Sequence, residues 1–251
     1  MTVTSRTPAP APGAKVATAP PSREQPSDKA PLMWKLAQLL VRVWTTVMFD
    51  LKVYGLDNVP RTGGVLMVSN HQSLLDPLLL GARLRRPMSY MAKSELFTNK
   101  AFARLIRSVG AFPVRQGAGD VGAIKETVAR LQEGRMLNIF PEGSRTEDGH
   151  IGPMQPGVAL VVRRAGVPIV PVAIDGSYEA WPKGSRSFRR HPIRLVYGPP
   201  LDVTGMKADA VVKLIDRSIR KLFEQLRSGR MNDKLAGEPL EPVTSEAQSK
   251  G

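Results

Sequence analysis

From about residue 50 onward, short apolar runs alternate with longer stretches in which apolar positions recur every three or four residues, the alternation expected of an α/β domain. Strands are predicted at Leu51–Tyr54, Val65–Ser69, Met88–Ala92, Ala111–Val114, Leu137–Phe140, Ile169–Ile174 and Ile193–Tyr197. Helices are predicted over 77–85, 99–108, 120–133, 157–165 and 207–227. Several boundaries have a physical reason: Asp120 can cap its helix, Gly134 and Gly166 can end two others, and Pro156 precedes a helical start. The prolines of Val167–Val172 suit an edge strand or a strand start.

The most apolar window is Leu32–Phe49, where Lys35, Gln38, Arg42 and Thr45 fall along one narrow polar stripe. Two cations in its middle would each cost roughly 3 kcal/mol at the centre of a bilayer, and the length falls a little short of a ~30 Å hydrocarbon core. The pattern therefore favours a helix lying in a membrane interface, with Trp34 and Trp44 near the headgroups, over a spanning one. A helix packed on a soluble core is the other reading.

Residues 1–30 are rich in Pro, Ala, Ser and Thr without an apolar run, and 229–251 are similar, so both are expected to be disordered tails around a domain at 31–228, with the interfacial helix at 31–50. Nothing in the first thirty residues resembles a secretory signal. At 251 residues, with 42% hydrophobic and 23% charged, the chain is expected to fold as one globular catalytic domain. Lys+Arg 36 against Asp+Glu 22 gives +14, which points to an anionic partner: nucleic acid, anionic lipid or a phosphate-bearing substrate. The absence of Cys excludes disulfides, thiolate metal sites and a cysteine nucleophile.

Candidate chemistry follows the strands. Asn70-His71-Gln72-Ser73-Leu74-Leu75-Asp76 leaves the second predicted strand, and a histidine there with a carboxylate five positions on can form an imidazole oriented by Asp. Five residues of regular helix separate side chains by about 140°, so the pair must straddle a loop and a helix start. Ser73 with Asp76 fits a capping box, Asp76 before Pro77 fits an N-cap, and a helix start offers backbone N–H groups to negative charge. Alternatively, Asp76 only caps and His71 is a loop histidine. Phe140-Pro141-Glu142-Gly143-Ser144-Arg145 follows another strand and brings a guanidinium suited to phosphate, and Gly110-Ala111-Phe112-Pro113-Val114-Arg115 ends in a second. Gly117, Gly119 and Gly122 formally match a dinucleotide fingerprint, but Arg115 and Gln116 intervene where its turn would be tight against the strand.

Taken in this order, NHQSLLD, GAFPVR, FPEGSR and VPIVPV resemble the PlsC-type family that acylates lysophosphatidic acid, over about Tyr54 to Tyr197. The resemblance implies a single glycerolipid-acyltransferase-type α/β domain: a central largely parallel or mixed sheet flanked by helices, with an N-terminal amphipathic membrane-associated helix. It implies that His71 is the base and Asp76 its orienter, and that Gly110, Arg115, Glu142, Gly143 and Arg145 bind the acceptor's glycerol phosphate, with Lys93 also reaching phosphate. Gln116 stands where the family commonly has its second-block arginine.

The expected activity is acyl transfer to the free sn-2 hydroxyl of lysophosphatidic acid, giving phosphatidic acid. Acyl-CoA or acyl carrier protein would be the donor, with no metal or redox cofactor. Backbone N–H groups near the helix start are candidates for the oxyanion. The expected partners are the lysophospholipid, the thioester and an anionic membrane surface, at the cytoplasmic face of the cell membrane as a peripheral or monotopic protein. Another lysophospholipid or acceptor alcohol is the alternative, and a non-catalytic basic binder of lipid or nucleic acid is the second. No zinc spacing, basic zipper or ribonucleoprotein motif supports nucleic acid, which is therefore not expected as a partner.

Overall fold

Strands form where the short apolar runs lie: β1 (Lys52–Tyr54), β2 (Val65–Ser69), β3 (Met88–Lys93), β4 (Ala111–Val114), β5 (Met136–Ile139), β6 (Ile169–Asp175) and β7 (Arg194–Tyr197). In this computed structural model, which describes residues 32–108, 110–114 and 121–240, they make one sheet in the order β1-β7-β6-β2-β5-β3-β4. Every pairing is parallel except β6 with β7, so the sheet is mixed and largely parallel, as expected. The helices are α1 (Leu32–Phe49), α2 (Asp76–Gly81), α3 (Lys100–Ser108), α4 (Val121–Gln132), α5 (Gly157–Ala165), α6 (Ser177–Ala180), α7 (Ala208–Arg227) and α8 (Asp233–Ala236).

β2 is buried along its whole length because β5 and β6 flank it and helices cover both faces, which is why it reads as an unbroken apolar run. Its side chains alternate between two cores. Leu66 and Val68 join Val158 and Ile215 from α5 and α7, while Val65 and Met67 join Phe49 and Leu79 from α1 and α2. α2 stops at Gly81, short of the expected residue 85. There the Gln38 amide of α1 donates to Gly81 O at 2.9 Å and to Leu84 O at 2.6 Å, and so takes up carbonyls at the helix end.

Pro171 does not sit at an edge or a strand start but inside β6, between β7 and β2. The sheet tolerates it because its carbonyl faces the β7 side, accepting from Gly198 N at 2.8 Å, just past the end of β7. The side that lacks an N–H is therefore the side where the neighbouring strand has finished. A Cβ on Gly198 would lie 3.1 Å from Pro171 Cγ and 2.8 Å from Leu222, so a small residue is needed beside the ring.

The domain does not end at 228. Met231 is 7% exposed and Ala236 0%, Asp233 Oδ1 accepts from Gly55 N at 2.9 Å, and the Asn58 amide donates to Ala236 O. Residues 229–240 are part of the packed chain, and the polar composition that suggested a tail reflects a short helix capped by Asn232. Residues 1–30 and 241–251 lie outside the described residues, as do Gly117 and Gly119 of the glycine-rich run and the expected cap Asp120. Gly122 falls inside α4.

α1 has the expected bounds, but its polar stripe is split, with Lys35 and Arg42 exposed and the other two members turned toward the protein. Its polar positions Gln38 and Thr45 face inward, Thr45 fully buried and bonded to Val41 O, together with Val41, Trp44, Met48 and Phe49. Trp44 is not at a free surface: it packs edge-on against Phe49 at 5.2 Å and Phe188 at 5.6 Å. The outward face carries Leu36, Leu39, Leu40, Val43 and Val47, exposed by 49 to 71%. Among the described residues no helix is long and apolar enough to cross a membrane.

Candidate active site

Three loops converge at the C-terminal ends of β2, β5 and β6, the usual place for a site in an open α/β sheet. The loop after β2 brings His71, the loop after β5 brings Phe140 to Arg145, and α6 follows β6. Asn70 ties the first to the third, its amide exchanging two hydrogen bonds with the backbone of Ile174 at 2.8 and 2.9 Å. Thr146 N donates to His71 O at 2.9 Å and ties the second to the first.

His71 Nδ1 lies 2.8 Å from Asp76 Oδ2. Asp76 is fully buried, and the same oxygen accepts from Gln72 N at 2.7 Å and Ser73 N at 2.8 Å, while Oδ1 accepts from Ser177 Oγ at 2.7 Å. Two of these partners are backbone N–H groups, so Oδ2 is an acceptor, and His71 Nδ1 carries the proton. Nε2 is left with its lone pair and no protein partner among the described residues. The ring stacks on Phe140 with centroids 3.8 Å apart and planes at 16°, and the side chain keeps 17% exposure. An oriented, half-shielded imidazole with one free basic nitrogen is equipped to take a proton from a hydroxyl.

Neither capping arrangement forms as expected. Asp76 is the first residue of α2 and bonds backward to the loop, giving half of a capping box with Ser73. The N–H groups of Gln72 and Ser73 are consumed by Asp76, and that of Leu75 by Ser73 Oγ, so these are not free to hold an oxyanion.

Both carboxylate oxygens of Glu142 are engaged by backbone N–H groups. Its Oε1 accepts from His71 N and its Oε2 from Gly152 N, both at 2.7 Å, so it bridges the loop after β2 to the loop after β5. Burial pushes its carboxyl above the usual glutamate range, and the two N–H bonds partly offset that. Gly143 supplies the positive φ of 76° that turns the chain after β5. Arg145 is half-buried at the same end of the sheet, next in sequence to the residue bonded to His71 O, and makes no ion pair among the described residues.

Gly110 lies at the other end of the sheet, ahead of β4, with φ 95° and a position where a Cβ would fall 2.4 Å from Met88 O. Its role is close backbone approach, not contact with an acceptor near His71. Lys93 ends β3 at the His71 end, paired with Val114, and its side chain lies outside the described residues, as does the whole of Arg115. Ser177 and the stacking of Phe140 were missed from sequence. Phe140 stood inside a recognised block, whereas nothing local marks a serine that bonds across 101 positions. Among the described residues no group of three or more His, Asp or Glu is placed to hold a metal.

A family model described as Acyltransferase matches residues 50–175. The chain belongs to the acyltransferase family. It is 30% identical over 170 residues to a 1-acyl-sn-glycerol-3-phosphate acyltransferase of Bacillus subtilis, covering 67% of this chain and 82% of that protein. It is 31% identical over 164 residues to a lyso-ornithine lipid O-acyltransferase of Pseudomonas aeruginosa, covering 64% and 62%. Against a chloroplastic 1-acyl-sn-glycerol-3-phosphate acyltransferase of Brassica napus, 26% identical, it covers 76% of this chain but only 56% of the relative. The crystal structure of the 1-acyl-sn-glycerophosphate acyltransferase PlsC from Thermotoga maritima superposes with a TM-score of 0.70 at 26% identity, covering 78% of this chain and 80% of that one. The resemblance to PlsC-type enzymes therefore holds for both the family and the fold.

Proposed function

We propose that this acyltransferase moves a fatty acyl group from an acyl thioester to the sn-2 hydroxyl of lysophosphatidic acid. The observation that carries the reading is the His71–Asp76 pair, fixed by four hydrogen bonds to one buried carboxylate. The hydroxyl proton passes to His71 Nε2 as the oxygen attacks the thioester carbonyl. The tetrahedral adduct expels the thiolate, which recovers the proton from the imidazolium, so the enzyme ends as it began. A thiolate leaves readily, and no acyl-enzyme is needed. Neither step calls for a metal or redox cofactor. The donor is acyl-CoA or acyl carrier protein, and Arg145 and Lys93 are the cations proposed for the acceptor's phosphate, with Arg115 beside them by resemblance.

Phe188, within the basic segment of Lys183, Arg186, Arg189 and Arg190, packs on the inward-facing Trp44 of α1, whose outward face is apolar. Apolar and cationic surface on one chain support peripheral attachment to an anionic membrane, which we place at the cytoplasmic face as part of the proposal. The lyso-ornithine lipid relative favours a second reading in which the acceptor carries no phosphate.

The deciding experiment incubates pure protein with acyl-CoA or acyl carrier protein and a panel of acceptors, following free thiol. Release with lysophosphatidic acid, with Arg145→Lys raising its apparent KM because an ammonium cannot reproduce the guanidinium fork, is the expected result. Turnover with lyso-ornithine lipid alone overturns the choice of acceptor, and no thiol release with any pair overturns the activity.

A further inference from the structure

At the opposite end of the sheet from His71, where β3, β4 and β5 begin, the surface folds into a cavity of about 600 Å³, within the range of small-ligand sites. Ser89 on β3, Arg107 at the end of α3, Phe112 on β4, Glu126 and Arg130 on α4, and Arg135 just before β5 line it. Three guanidinium groups thus share one concave surface with a single carboxylate.

The arginines are held in a way that leaves their outer nitrogens available. Glu126 accepts from Arg130 Nε at 2.7 Å and Glu133 from Arg135 Nε at 3.3 Å, so each is fixed at its inner nitrogen, and no acceptor meets the terminal Nη atoms among the described residues. Arg130 is also seated over the Phe112 ring at 4.3 Å. Arg107 lies over the Phe97 ring at 4.8 Å with no carboxylate partner among the described residues. Ser89 is 7% exposed, yet its hydroxyl has no hydrogen-bond partner among the described residues. Ser89 lines the cavity, where a ligand oxygen can accept from its hydroxyl.

We propose that this cavity binds a phosphate-bearing small molecule, at a site separate from that of His71. Guanidinium forks match phosphate geometry, and a phosphate monoester offers three acceptor oxygens and nearly two charges where a carboxylate offers two oxygens and one charge. The volume exceeds that of a bare phosphate, so the ligand brings a further moiety, a nucleoside or an acylglycerol. The inference does not rest on the proposed acyl transfer, since binding is read without turnover.

The test is titration calorimetry on the full chain with three probes at matched ionic strength: adenosine 3′,5′-bisphosphate, short-chain phosphatidic acid below its micelle concentration, and inorganic phosphate. At least one probe is expected to bind. The double variant Arg107→Gln, Arg135→Gln should weaken it by about tenfold or more, Ser89→Ala should weaken it less, and Arg145→Gln should leave unchanged the binding that the double variant loses. Both altered arginines are partly exposed, and circular dichroism confirms that the variants fold. The stronger organic probe identifies the source as nucleotide or lipid and supports the site, whereas inorganic phosphate binding as tightly as either overturns a ligand with a further moiety. The proposal is overturned if no probe binds the wild type at millimolar concentration, if binding survives the double variant and Ser89→Ala, or if Arg145→Gln abolishes it.

Discussion

Asp76 accepts from one ring nitrogen, two backbone N–H groups and one hydroxyl, and that set explains how a single substitution there acts. Asn would turn an NH2 toward donors, so Asp76→Asn should lose activity and about 1–3 kcal/mol of stability, measured by thiol release and urea unfolding. His71→Ala should lower turnover by roughly 10²-fold or more in a protein that still folds. Ser177→Ala separates orientation from chemistry: kcat should fall about tenfold with KM little changed. Glu142 carries the pH prediction. Burial raises its carboxyl, so the folded chain binds that proton more tightly than the unfolded one. Its contribution to stability is present below the ordinary glutamate value and is lost as pH rises through the raised one. Glu142→Gln should remove that segment of the stability–pH curve while lowering stability at every pH, because an amide cannot accept both N–H groups. An unaltered curve by urea unfolding would show that Glu142 is not the titrating group.

At the scale of elements, the strands were legible because most are short runs ended by a turn residue, and because β2 and β6, at 5 and 7 residues, are too short for a buried helix. His71 and Asp76 were legible for a local reason, lying five positions apart across one loop and the start of α2. α1 was read correctly in extent and in its outward apolar face, but not in the place of Trp44: periodicity gives a polar stripe, and only packing decides that Gln38 spends its amide on the end of α2 while Lys35 and Arg42 stay exposed. The structure therefore moves the membrane test away from Trp44. Leu40→Asp with Val47→Asp, at 71% and 65% exposure, should release the protein from anionic vesicles in sedimentation without unfolding it. Salt should weaken wild-type binding and not abolish it, since only the charge term is screened. Phe49→Ala, at 0% exposure, should instead cost about 3–5 kcal/mol and leave vesicle binding per folded molecule unchanged.

On the scale of the whole molecule, residues 229–240 tie down the segment that follows β1. Ending the chain after 228 removes the Asp233–Gly55 and Asn58–Ala236 bonds and should lower the melting temperature relative to a chain ending after 240, at about 2–4 °C for each kcal/mol lost. The pairing of β1 has a further consequence, in time. β1 touches the sheet only through β7, and Arg194 bonds Asp50 across 144 positions. At roughly 5–20 residues per second, synthesis needs about 7–30 s to supply that partner after β1 has been made. During that interval the greasy flank of α1 is outside the ribosome with no strand to anchor the segment that follows it. Nascent chains arrested before residue 194 should be cut by protease near residues 50–54, and those arrested well beyond it should resist. On the proposed membrane attachment, a newborn chain would meet lipid before its own sheet could claim the helix, and attachment would precede the completion of the fold.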